Sequence, residues 1–199
     1  MTDADAGIPA EDGSGEIVMR GQWPVLEDEI CRLLLHRWAA WRQGGLVPRR
    51  SAVDPAAIVP CLPQLWIFRL DAGRGRMVCS LAGDRLNEAW GFSIIGKDPV
   101  GLWGAEDGGF INARLCRVAQ IPALIYGRSG FTPAGDVPGS RVARRLMLPL
   151  CDDTGAPYGA FGVTLLDFDP RRHEPQAPPP MMRAWRYPCA DLPATLPPA

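Results

Sequence analysis

The stretch "QLWIFRLDAGRGRMVCSLAGDRLNEAWG", residues 64–91, decides how the chain is organised. "QLWIFRL" (64–70) and "RMVCSL" (76–81) are short runs rich in β-branched, aromatic and other apolar residues. They flank Asp71-Ala72-Gly73-Arg74-Gly75, a turn-rich connection suited to a hairpin. "GDRLNEAWG" (83–91) then reads as a short helix, with Asp84 placed to cap it and Gly91 to end it. A hairpin followed at once by a helical excursion points to an antiparallel sheet with helices on one face.

On the N-terminal side, Leu26, Ile30, Leu33, Leu34, Trp38 and Trp41 recur at three- and four-residue spacing, predicting a helix over 25–43. Gly44-Gly45 stops it. The proline-rich segment "LVPRRSAVDPAAIVPCLP" (46–63) is an ordered crossing loop, with room for a helical turn after Asp54-Pro55. On the other side, "FSIIGKDPVGLWG" (92–104) is irregular, and Gly108-Gly109 opens a longer helix from Phe110 to Tyr126, kinked near Pro122. Strands follow over 127–133, 141–150 and 158–168, with turns at Pro138-Gly139 and Asp152-Asp153-Thr154-Gly155. The predicted fold is α+β: a five-stranded antiparallel sheet with short helices on one face and an N-terminal helix. Residues 1–22 read as a disordered acidic arm and 23–168 as the domain. Residues 169–199, with nine prolines after Asp169, read as a proline-rich tail in which "MMRAWRYPC" (181–189) forms an island.

Composition narrows the function. The 199 residues carry a net charge of −1, so no global field draws the protein to nucleic acid or to anionic lipid. No apolar run approaches the roughly 20 residues of a membrane helix, and no signal peptide is recognisable among the acidic, polar first 20 residues. The six cysteines, Cys31, Cys61, Cys79, Cys116, Cys151 and Cys189, form no CxxC pair, and two histidines give no zinc spacing. Reduced thiols in a cytoplasmic protein are the expectation. There is no phosphate loop, no HExxH and no Ser/His/Asp arrangement, so an enzyme is disfavoured and no catalytic or metal-binding residue is assigned.

Three segments, taken in order, resemble the single-domain bacterial PAS group. They are "HRWAAWRQGGLVPRRSAVDPAAIVPCLPQLWIF", "CSLAGDRLNEAWGFSIIGKDPVGLWG" and "RLMLPLCDDTGAPYGAFGV", and the resemblance spans about residues 25–168. It departs at Ser80, where an arginine is expected, and at Asp84, where threonine is common. The resemblance implies a sensory or signal-relay domain with a cavity between sheet and helices that binds a small molecule or a partner protein. It also implies a homodimer through the leading helix, and output to a separate signalling protein. The alternative is a ligand-free PAS-fold interaction scaffold; an uncharacterised enzyme is a weaker one. The residues expected to shape such a cavity are Trp90, Trp103, Phe110 and Phe161, with Arg114, Arg117 and Arg145 as candidates to meet a carboxylate or phosphate through a guanidinium fork.

Two cofactors associated with the family are disfavoured. Within "NARLCRVAQ" (112–120), Cys116-Arg117-Val118-Ala119-Gln120 is similar to the Asn-Cys-Arg-Phe-Leu-Gln signature of flavin photosensors, whose cysteine attacks the excited flavin. That signature follows an Ile-Ile-Gly-Arg type segment, which here is "IIGKDPVGLWG", so the reactive-cysteine position falls on Pro99. Proline has no thiol, and Cys116 reads as a packing residue. Haem would need an axial ligand, and the long helix has no histidine.

Overall fold

The computed structural model describes residues 8–9, 17–19, 26, 28–131, 141–167, 183–192 and 196. In chain order the elements are β1 (Ile8–Pro9), β2 (Ile17–Met19), α1 (Glu29–Trp41), β3 (Leu65–Asp71), β4 (Arg76–Ala82) and α2 (Asp84–Trp90). Then come α3 (Pro99–Trp103), α4 (Ala105–Gln120), β5 (Ala123–Phe131), β6 (Arg141–Cys151), β7 (Pro157–Asp167) and β8 (Arg183–Pro188). The sheet order is β1-β2-β8-β5-β6-β7-β3-β4. Six strands, β8 through β4, are mutually antiparallel; β2 pairs parallel with β8. The five expected strands form the block β5-β6-β7-β3-β4, so the first hairpin lies beside the last strand of the meander rather than beside β5.

Side chains alternate across this sheet and build two separate cores. One holds Leu34, Leu35 and Trp38 of α1, Ile58 and Cys61, and Leu65, Ile67, Leu146, Leu148, Phe161 and Val163 from the strands. The opposite core holds Trp66, Phe68, Met77, Cys79 and Met147 from the strands, packed under Leu86, Trp90, Leu102, Leu115 and Val118 of α2–α4. The proline-rich crossing segment belongs to the first: residues Pro55–Gln64 form 3-10 turns, started by the Asp54 carboxylate accepting the Ala56 N–H at 2.9 Å. Pro60 and Pro63 cannot donate to an α-helical ladder, which is why tighter turns replace it.

Three differences from the sequence reading have physical causes. The long helix starts at Ala105, ahead of the two glycines read as its opening, because Gly108 packs face-on against Pro99 and Val100, where a Cβ would meet backbone atoms. The same helix stops at Gln120 instead of continuing, kinked, to Tyr126. Pro122 supplies no N–H to continue it, and the chain enters β5 at Ala123. The third difference lies in the island of the proline-rich tail. Residues Arg183–Pro188 form a strand on the open edge of β5, and Trp185 stacks on Tyr126 with ring centroids 5.9 Å apart. Within the stretch read as a disordered arm, Ile17–Met19 pairs in turn with β8. Most of the arm and residues 168–182 lie outside the described residues.

Candidate functional site

Position in the pleat separates the predicted cavity residues. Trp90 and Trp103 come together on the α2–α4 side, their rings edge to face at 5.1 Å. Trp90 is buried and also touches Phe92, with centroids 5.9 Å apart. Phe161 belongs to the opposite core, close to Trp41 of α1, and shares no space with Trp90. Phe110 of α4 is 44% exposed and belongs to neither core. The aromatics that fill the space between helices and sheet are therefore Trp66, Phe68, Trp90 and Trp103.

Trp66 has the most specific placement of these. It lies across Gly162 of β7, where a Cβ would run into the indole ring, and its Nε1 donates to the Thr164 hydroxyl at 3.0 Å. Thr164 is only 7% exposed, so the bond satisfies the buried Trp66 N–H with a protein acceptor. Nothing in the sequence marks Gly162 or Thr164 except that "FGVTLL" interrupts an apolar run with one small and one polar residue. Asn112 was likewise missed: it lies inside the apolar spacing of α4, and its Oδ1 accepts the Met77 N–H at 2.8 Å, tying α4 to β4.

The arginines divide by strand position. Neighbours in sequence, Arg144 and Arg145 point to opposite faces of β6. Arg144 turns to the α1 side and pairs with Asp28 at 3.2 Å. Arg145 turns toward α4, in a cross-strand row with Ala184 and Gly127 on one side and Thr164 on the other. Its charged head is hemmed in by protein although the residue retains some accessible surface. Burial first, and then the nearby Arg114 charge, push the Arg145 pKa down to about 10. On α4, the Nε atoms of Arg114 and Arg117 are both sealed from solvent. Arg145 and Arg114 thus bring two cationic side chains together at the α4–β6 junction.

Cys116 borders this junction without entering it. The thiol is half-buried, 3.9 Å from the Gly75 carbonyl in the β3–β4 turn, and burial raises its pKa. Pro99 opens α3, buried, behind Asp98, whose carboxylate accepts the Gly101 N–H at 2.8 Å. Among the described residues no group of three His, Cys, Asp or Glu side chains is placed to hold a metal ion, and no helix is long and apolar enough to cross a membrane.

A family model for the PAS domain matches residues 27–165, from before α1 into β7. No curated protein matches. A solved structure of the PAS domain from Bordetella pertussis BvgS is similar at 18% identity, over 56% of this chain and 84% of that one, with a TM-score of 0.35. With the family match spanning well over half its length, the chain belongs to the PAS domain family.

Proposed function

We propose that residues 23–168 act as a cytoplasmic sensory or signal-relay unit that binds a small molecule bearing a carboxylate or phosphate at the junction of α4 and β6. The carrying observation is the convergence of Arg145 and Arg114 in a place desolvated enough to depress the Arg145 pKa. A bound anion would gain charge-assisted hydrogen bonds there, which are roughly twice as strong as neutral ones. The aromatic half of the same interface, Trp66, Phe68, Trp90 and Trp103, would wall the site and exclude water. Output would pass to a separate signalling protein, and the outward side of α1, with Leu33, His36 and Ala40, supports a homodimer contact.

Calorimetric titration of the full chain with inorganic phosphate and with succinate tests this reading. Saturable binding that Arg145→Met abolishes supports it; equal heats from wild type and variant would sink it. The filled aromatic half favours a second reading, a ligand-free scaffold that works by protein contact alone. Native mass spectrometry of freshly purified protein separates the two, since a co-purified small mass belongs only to the sensor.

A further inference from the structure

A second cleft lies where β3 begins. Leu65 is the first residue of β3 and faces Val163, so residues 164–167 of β7 run on past the end of β3. The gap beside them is a cleft of about 540 Å³. Its apolar walls come from Ile30 of α1, Leu86 and Ala89 of α2, and Leu165 of β7. That size suits a small metabolite.

Its polar lining is Gln64, Arg85, Glu88, Thr164 and Arg144, the last already paired with Asp28, so the charges differ in sign. Gln64 is only 9% exposed, and its Oε1 lies buried in the cleft wall with no hydrogen-bond donor. Proteins rarely keep a buried acceptor unsatisfied, because it gives up water and receives nothing in exchange. Glu88 also lines the cleft from the exposed side of α2, so two acceptors, one of them anionic, look for a donor that carries positive charge. Arg85 stands one helical turn away on the same rim and offers the opposite charge. Thr164 accepts from Trp66, which leaves its own O–H to donate.

We infer that this cleft binds a small zwitterion: an ammonium group received by Gln64 and Glu88, a carboxylate by Arg85 and Thr164, and an apolar side chain against Ile30, Leu86 and Leu165. An amino acid with a branched aliphatic side chain has this chemistry. The inference stands on Gln64, Glu88 and Arg85, none of which belongs to the anion site at Arg145, although Thr164 lies directly across the strands from Arg145.

L-leucine is the probe, followed by ligand-observed NMR and calorimetry on the full chain. 3-Methylbutylamine lacks the carboxylate and 4-methylpentanoate lacks the amine. Leucine binds saturably, and each truncated analogue binds at least tenfold more weakly. Gln64→Met weakens leucine by at least tenfold and raises the Tm of the ligand-free protein, because the orphan acceptor is gone. Glu88→Gln, on an exposed position, weakens leucine without moving that Tm, which keeps the test intact if Gln64→Met folds poorly. The inference is overturned by no saturable leucine signal into the millimolar range, by 4-methylpentanoate binding best, or by Glu88→Gln binding leucine as wild type does.

Discussion

The indole of Trp38 donates from Nε1 to the carbonyl oxygen of Pro149 at 2.8 Å, joining α1 to β6 across 111 residues of sequence. Trp38 has no exposed surface, so the bond is made where water cannot replace it. Trp38→Phe keeps an aromatic ring but strands the Pro149 carbonyl, a loss of about 1–3 kcal/mol. Urea denaturation should show a lower midpoint with an unchanged slope; an unchanged midpoint would mean the carbonyl finds another donor.

Close contacts at two glycines predict steric failures of different kinds. At Gly108 a Cβ would meet the Pro99 and Val100 backbone, so Gly108→Ala pries α3 from α4. At Gly162 it would meet the Leu146 carbonyl and the Trp66 ring, so Gly162→Ala displaces the indole from Thr164. Each should cost about 1–3 kcal/mol as overpacking. Only the second should shift Trp66 fluorescence, best read in a chain whose other tryptophans are replaced by phenylalanine.

Stability should fall on the alkaline side. Burial, its largest cause in each case, raises the Cys31 and Cys189 thiols to about 12 and the Cys61 and Cys79 thiols to about 11. Below pH 9 these thiols are protonated in both folded and unfolded chains and contribute no pH dependence. Between about 9 and 12 the unfolded chain loses protons that the folded chain retains, so the unfolding free energy decreases with rising pH. Urea midpoints at pH 8 and pH 10 check the direction, and Cys31→Ala should flatten the slope.

Ending the chain at residue 182 removes β8 together with buried Ala184, Cys189 and Leu192. It also uncovers the backbone edge of β5 and the face of Tyr126 that Trp185 covers. The shortened protein should melt several degrees lower and self-associate through the bared edge. Light scattering coupled to size exclusion reads both monomer and larger species; a stable monomer would contradict the role given to β8.

Much of this architecture was legible in the residues because local chemistry and fold agree there. Short apolar runs at 64–70 and 76–81, turn residues at 71–75 and a left-handed Gly91 with φ 73° each demand what they form. Legibility failed where contacts distant in sequence overrule local preference. Gly108 looks like a helix breaker and serves as a flat packing surface; Arg183–Pro188 sits among prolines and still finds a strand edge. The cavity residues failed differently. Aromatic identity marks Phe161 and Trp90 alike as core, but only the register of β7 assigns Phe161 to the α1 side. Arg145 could be placed on the strand from sequence, whereas its facing Arg114 required knowing how α4 crosses the sheet. Gln64 carries no sequence signal, since its isolation is produced by where β3 happens to begin.

The pleat of β6 makes one further demand on any signal this domain carries. Arg144 holds the Asp28 carboxylate at the entrance to α1, and Asp28 also accepts from the Tyr126 hydroxyl at 3.4 Å. Arg145, one peptide bond away, reaches to the other side of the sheet. The two guanidiniums therefore serve opposite faces of one strand: Arg144 ties the start of the leading helix to the sheet through Asp28, and Arg145 faces α4.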